Sequence, residues 1–182
     1  TMSGGEPCGN AGRTKGALDV NFKPGETTIE MSGVTRKLRA GVKPDGNAFC
    51  EMPIFTDPSK VAEDPSIPGN YLVEMEGIVQ YVDFRPIDPS LSPDEIKQRA
   101  FAFMQERGFT AYPAAGIMYS KQTDRGWEVT PVVFVPNAGE NGTLFLETAC
   151  GSGTTALGMV LAKKDGMSLN DVSYINLRDY RF

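Results

Sequence analysis

The chain has 182 residues, of which 40% are apolar and 23% are charged, so it can fill the core of one domain or of two small ones. Its net charge is −5, whereas a nucleic-acid-binding protein usually carries a basic surface. No apolar run is long enough to cross a bilayer, and the polar, glycine-rich first residues do not follow the pattern of a signal peptide.

The available residue types restrict the possible chemistry. There are three cysteines, Cys8, Cys50 and Cys150, and no histidine. A sparse, odd cysteine count does not suit a disulfide framework and favours a reducing cytoplasm. The cysteines are far apart and form no C-x-x-C pair, so we expect no metal site. Without histidine, proton transfer must come from Cys, Asp, Glu, Lys or Tyr.

The predicted elements are a mixture of strands and helices, which predicts an α+β fold. In chain order we predict a helix over 9–18, strands over 27–31, 36–42 and 49–55, a proline-rich loop over 57–70, a β-like stretch over 71–84, a helix from 93 to 106, strands over 112–120, 127–135 and 143–147, a helix over 154–163 and a strand over 172–177. The helix at 93 has the clearest start, with Ser92 as N-cap, Pro93 in the first turn and Glu95 completing a capping box.

Two cysteine-containing turns stand out because they resemble each other. Residues 4–13 read GGEPCGNAGR and residues 147–155 read ETACGSGTT. Each places a cysteine on a turn, follows it with glycine and a small polar residue, and then enters a predicted helix. A helix N-terminus stabilises anions, so it can hold a carboxylate and lower the pKa of a thiol.

Two such turns facing each other would form a cleft with two thiols. An α-amino acid bound there would have its carboxylate on the helix ends and its Cα–H between Cys8 and Cys150. One thiolate would remove the α-proton and the opposite thiol would deliver a proton to the other face, with no cofactor. For a single cysteine, burial as a small apolar residue is the commoner explanation, and we prefer it for Cys50, inside the apolar segment FCEMPIF.

The paired motifs C-G-N-A-G-R and E-T-A-C-G-S-G-T resemble the two signatures of the diaminopimelate-epimerase-like superfamily of amino-acid racemases and epimerases. The longer patterns G-G-E-x-C-G-N-A and E-T-x-C-G-S-G-T are most similar to its histidine-racemase branch. The resemblance implies two similar lobes, each a β-barrel-like sheet around a central helix, with the site between them. We expect residues 1–40 to belong to the N-terminal lobe and residues 41–182 to the C-terminal lobe.

The resemblance also implies roles for individual residues. Cys8 and Cys150 match the acid/base pair of these cofactor-independent isomerases. The turns would bind the amino-acid substrate through six residues: Glu6, Gly9, Asn10, Glu147, Gly151 and Ser152. The two glutamates would bind the substrate ammonium or tune a thiol, although solvated turn carboxylates are the alternative for Glu6.

The chain departs from the family pattern in three places. Residues 142–146 lack the Glu-Arg pair that holds the distal end of diaminopimelate, which favours a medium-sized substrate such as histidine beside Phe145, Tyr112 and Met118. Gln80 stands where family members often have a histidine. Few residues precede Cys8, so we expect a companion N-terminal polypeptide of the same protein to complete the first lobe. The alternative association is a homodimer.

Two alternative functions come from other classes. Thr1 could be the nucleophile of an autoprocessed, amidohydrolase-like subunit, with its own α-amine as base. The chain could also be a non-catalytic amino-acid-binding relative, because a fold does not by itself determine function.

Overall fold

The computed structural model describes residues 7–53, 57–124 and 126–166. Within these ranges it has three helices and nine strands, which confirms the predicted α+β class. In chain order the elements are α1 (Gly9–Asp19), β1 (Gly25–Ile29), β2 (Leu38–Val42), β3 (Ala48–Cys50), β4 (Val61–Glu63), β5 (Tyr71–Met75), β6 (Ile78–Asp83), α2 (Pro93–Glu106), β7 (Ala115–Thr123), β8 (Gly126–Val135), β9 (Thr143–Leu146) and α3 (Gly151–Lys164). No helix in these ranges is long and apolar enough to cross a membrane.

The strands form two sheets. The smaller sheet has the order β1-β2-β3, and the larger one has the order β4-β5-β6-β7-β8-β9. All neighbours pair antiparallel except β6 and β7, which pair in parallel. A parallel pair needs a crossover connection, and α2 lies in the segment that joins these two strands.

A helix covers each face of the larger sheet. Apolar residues of α3 pack on one face together with Ile78 and Val82 of β6. Residues of α2 pack on the other face together with Val79 and Tyr81. Successive strand residues point to opposite faces of the sheet, and a helix covers each face at β6. Every residue of β6 is therefore buried. Gln80 lies between Ile78 and Val82 in this alternation, and its side chain therefore points towards α3.

Helix α2 begins as its sequence predicts. The Ser92 hydroxyl accepts a hydrogen bond from the backbone N–H of Glu95, and the Glu95 side chain accepts one from the backbone N–H of Ser92. Both halves of the capping box are therefore present.

Helix α1 lies on the smaller sheet and approaches it through two glycines. A Cβ atom on Gly16 would lie 2.5 Å from Cβ of Ala40, and one on Gly12 would lie 2.5 Å from Sγ of Cys50. Glycine has low helix propensity, so these positions weaken the helix in isolation. The packing explains them, because only glycine allows the helix to lie this close to β2 and β3.

A buried charged network ties the end of α2 to the larger sheet. Asp64 accepts hydrogen bonds from Tyr81, Ser66 and Arg107, each with a shortest distance of 2.7 Å. Burial disfavours the charged carboxylate, but these hydrogen bonds outweigh it and hold the pKa of Asp64 well below its usual range. The network therefore contributes to stability only while Asp64 is ionised.

Several predicted boundaries were wrong in detail. The stretch over 71–84 is a hairpin, β5 and β6, that turns at Gly77, whose φ of +75° favours glycine. The proline-rich loop contains β4, and α3 begins at Gly151, earlier than predicted. The predicted strand over 172–177 lies outside the described residues.

The proposed lobes are not defined by the sheets alone. The predicted division after residue 40 falls within β2, which pairs with β1 on one side and β3 on the other. The division into two lobes, and the barrel form of each, stay predictions.

Candidate active site

Cys8 and Cys150 occupy equivalent positions in the structure. Cys8 is the N-cap residue of α1, with φ −130° and ψ 105°, and Cys150 is the N-cap residue of α3, with φ −127° and ψ 112°. The backbone carbonyl of each cysteine accepts the first hydrogen bond of its helix, from Gly12 and Thr154 respectively. The similar motifs of the sequence therefore fold into the same local structure.

The two helix N-termini meet at the glycines that follow the cysteines. A Cβ atom on Gly151 would lie 3.4 Å from Cα of Gly9, and one on Gly9 would lie 3.5 Å from Cα of Gly151. Met52 is packed against both glycines through its sulfur. The positive ends of both helix dipoles are consequently brought to one place, where they favour an anion.

A cavity of about 190 Å³ lies beside this junction. Both cysteines line it, and apolar side chains from β6, β8 and β9 form much of the rest. Its lining residues are Pro7, Cys8, Gly9, Asn10, Ile78, Val133, Val135, Phe145, Glu147, Ala149, Cys150, Gly151 and Ser152.

Cys150 is 9% exposed and its sulfur is surrounded by hydrogen-bonding groups. The backbone N–H of Gly153 donates to Sγ at 3.4 Å, and the hydroxyl of Ser152 lies at 3.4 Å. The side-chain amide of Gln80 donates to Ser152 at 2.9 Å and to the sulfur at 3.9 Å. Gln80 and Ser152 are both buried, so these hydrogen bonds are formed inside the protein.

The lowered thiol pKa expected at a helix N-terminus was wrong for Cys150. Burial raises the pKa of the Cys150 thiol to about 12, and the negative charge of Glu147 adds to the effect. The hydrogen bonds from Ser152 and Gly153 lower the pKa but do not outweigh burial. The raised pKa favours the protonated form of the Cys150 thiol.

Cys50 differs from the other two cysteines. It is half-buried in β3, its thiol donates to the carbonyl of Glu51 at 3.2 Å, and its sulfur packs against Gly12. Burial raises the pKa of Cys50 to about 11. Cys50 does not line the cavity beside the helix junction.

Seven of the eight predicted site residues line one cavity: Cys8, Gly9, Asn10, Glu147, Cys150, Gly151 and Ser152. The eighth, Glu6, lies outside the described residues, as does Thr1 of the alternative amidohydrolase function. Their roles stay predictions. Among the described residues, no group of three or more Cys, Asp or Glu side chains is arranged to hold a metal ion.

The sequence was less informative about the walls of the cavity. Phe145 lines it as expected, but Met118 is fully buried against Gly153 of α3, and Tyr112 is not among the residues that line it. The sequence did not predict that Val133 and Val135 of β8 line the cavity. Their apolar character predicts a buried strand, but only the fold shows that this strand lies beside the cysteines.

By its fold and site, the chain is an α+β protein in which two cysteine-capped helices meet beside one cavity. Residues 1–172 match the family model described as the histidine racemase CntK N-terminal domain, and the chain belongs to that family.

Two curated relatives are similar over most of the chain. Both are described as histidine racemases, from two strains of Fusobacterium nucleatum subsp. nucleatum. Each is 30% identical over 172 residues, which is 89% of this chain, and the match covers 62% of one relative and 61% of the other. The chain therefore spans about three fifths of the length of these relatives.

Proposed function

We propose that the protein is a cofactor-independent amino-acid racemase that uses Cys8 and Cys150 as its acid/base pair, with histidine as its substrate. The observation that carries this proposal is the meeting of two cysteine-capped helix N-termini beside one cavity. The choice of histidine is supported by the similarity to proteins described as histidine racemases.

The helix junction suits the substrate carboxylate. The first N–H groups of a helix have no partner within the helix, and here the starts of α1 and α3 lie together. A carboxylate bound to Gly9, Asn10, Gly151 and Ser152 would be neutralised by both dipoles. The same donors would stabilise the negative charge that spreads onto the carboxylate when the α-proton leaves.

The proton steps follow from the two thiols. The Cys8 thiolate would take the α-proton and become a thiol, and the electron pair of the broken C–H bond would be delocalised onto the carboxylate. The Cys150 thiol, held protonated by burial, would then give its proton to the opposite face of Cα and become a thiolate. The reverse reaction would begin from the redistributed protons, with the two roles exchanged.

The cavity walls suit a side chain that is neither large nor doubly charged. Phe145 is 42% exposed and lines the cavity with Ile78 and Val133, which gives an imidazole ring an aromatic surface to stack on. Glu147 also lines the cavity, and in this proposal it would receive the substrate ammonium. Its negative charge next to Cys150 would then be compensated by the bound substrate.

The test is α-proton exchange in heavy water with L-histidine and no added pyridoxal phosphate or metal. We expect deuterium to enter Cα and D-histidine to appear with the unsubstituted protein and with Cys50→Ser. Neither should occur with the Cys8→Ser, Cys150→Ser double variant. Exchange at the original rate in the double variant would refute the two-thiol mechanism.

The expected associations are a separate matter. A companion N-terminal polypeptide and a homodimer both stay predictions, and neither is needed for the argument from the helix junction. Native mass spectrometry of the purified protein would distinguish the two, because a companion adds a second mass and a homodimer doubles the first.

A further inference from the structure

Gln80 is a polar side chain in an otherwise apolar setting. It is fully buried in β6, between Ile78 and Val82, on the face of the sheet that α3 covers. Burying an amide is unfavourable unless its hydrogen bonds are made. Its Nε2 atom donates a hydrogen bond to Ser152. Its Oε1 atom is buried and has no hydrogen-bond partner among the described residues.

The structure also makes room for this amide. Gly116 pairs with Gln80 across the parallel strands β6 and β7. A Cβ atom on Gly116 would overlap Oε1 of Gln80 and lie 2.9 Å from its Cδ. The half-satisfied amide is therefore held in a space that glycine provides.

The hydrogen bonds define a direction from Gln80 to Cys150. Nε2 of Gln80 can only donate, so the Ser152 oxygen accepts at 2.9 Å. The Ser152 hydroxyl still carries its own proton, and in one arrangement it donates this proton to the Cys150 sulfur, 3.4 Å away. In this arrangement the sulfur accepts hydrogen bonds from Ser152, from the Gly153 N–H and, at 3.9 Å, from Gln80.

Rotating the amide by half a turn reverses this direction. Oε1 would then accept the Ser152 proton, and the Ser152 oxygen would accept from a Cys150 S–H group. The rotation moves no proton from one group to another, because Ser152 and Gln80 keep theirs. Each orientation leaves one end of the amide without a partner among the described residues, and the structure has the orientation in which Nε2 donates to Ser152.

We propose that Gln80 is a positioning residue for Cys150: its amide sets the direction of the Ser152 hydroxyl, so that the sulfur is held as an acceptor in one orientation and as a donor in the other. This inference rests on the proposed function, because a racemase needs Cys150 as a thiol in one direction of the reaction and as a thiolate in the other. The titratable group that faces Cys150 is Glu147, the residue after β9, and it stays constant in the variants below.

The test is the pH dependence of Cys150 alkylation by iodoacetamide, read by peptide mapping of the full chain. Gln80→Met removes both hydrogen-bonding ends of the amide at similar size. Gly116→Ala keeps every polar side chain, and its new Cβ atom would displace the Gln80 amide and the terminal methyl group of Met118. It provides a second route if Gln80→Met folds poorly. Gln98→Met, on the exposed face of α2, is the matched control.

We expect Gln80→Met and Gly116→Ala to slow Cys150 alkylation at fixed pH by roughly three- to tenfold, since the thiolate fraction falls tenfold for each unit by which the pKa rises. Cys8, Cys50 and the Gln98→Met protein should react at unchanged rates. In a Ser152→Ala background, Gln80→Met should have less than about a twofold further effect, because the two residues act as one unit.

An unchanged Cys150 profile in Gln80→Met would overturn the proposal, and so would a full additional effect in the Ser152→Ala background. In the racemisation assay we expect Gln80→Met to lower kcat with little change in KM, because Gln80 is not among the described residues that line the cavity. Alkylation does not require turnover. Failure of the proposed function would therefore appear as absent α-proton exchange in the unsubstituted protein, and failure of this inference as an unchanged alkylation profile.

Discussion

Gly16→Ala tests whether the close packing of α1 on the smaller sheet holds the first cysteine in place. Helix propensity alone predicts that alanine stabilises the helix by about 1 kcal/mol. The structure predicts the opposite sign. The new Cβ atom would lie 2.5 Å from Cβ of Ala40, 2.7 Å from N of Gly41 and 3.0 Å from the carbonyl carbon of Ala40.

These neighbours have no free direction in which to move. Ala40 is fully buried, and β2 is the central strand of its sheet. Overpacking of this kind costs roughly 1–3 kcal/mol. After the gain in propensity we expect a net loss of up to about 2 kcal/mol, which lowers Tm by up to roughly 8 °C for a chain of this size. Displacing α1 also separates Gly9 from Gly151, so racemisation should fall more than stability alone explains.

The assay is thermal unfolding followed by circular dichroism, with racemisation measured below the transition. Gly25→Ala is the control, because the nearest atoms to its new Cβ would lie at 3.6 Å, an ordinary contact. Its Tm should stay nearly constant. A Gly16→Ala protein that unfolds at the same or a higher temperature would show that α1 is not held against β2 as described.

Four further predictions concern the charged network and the cavity. Arg107→Met should destabilise the protein by about 2 kcal/mol, less than for a fully buried pair because Arg107 is partly exposed, as measured by urea unfolding at pH 7. Because folding lowers the pKa of Asp64, its contribution to the free energy of unfolding is present above the ordinary carboxyl pKa near 3.9 and is lost as the pH falls below that value. Asp64→Asn should therefore make the free energy of unfolding less dependent on pH in the acid range. Glu147→Gln should speed Cys150 alkylation several-fold at pH 8.5, because the Glu147 charge helps to raise the pKa of Cys150; an unchanged or slower rate would contradict the assigned cause. Phe145→Ala should raise KM for histidine by roughly tenfold with a smaller change in kcat, as expected for a lost aromatic contact, and an unchanged KM would place the imidazole elsewhere.

Features set by neighbouring residues could be predicted from the sequence. The capping box of Ser92 and Glu95 gave the start of α2, because its hydrogen bonds join residues three positions apart. The two cysteine motifs indicated a shared cavity, because similar local sequences formed the same N-cap structure at Cys8 and Cys150.

Features set by distant residues could not be predicted. Helix α3 begins earlier than its propensities indicate, because Gly153 allows the first turn to pack on Met118. A helix N-terminus was expected to lower the pKa of the Cys150 thiol, but this thiol is buried beside Gln80, which is 70 positions away in the sequence. The hydrogen bond from Gln80 to Ser152 became visible only in the fold, because the two residues are 72 positions apart.

Enantiomer-resolved exchange is the most direct test of the central claim that Cys8 and Cys150 act from opposite faces of Cα. In heavy water, L- and D-histidine would each be incubated with Cys8→Ser and with Cys150→Ser, and deuterium at Cα would be measured by mass spectrometry after chiral separation. We predict that each variant exchanges the α-proton of one enantiomer only, that the two variants differ in which one, and that neither racemises histidine at the original rate. Exchange of the same enantiomer by both variants would contradict the two-face arrangement.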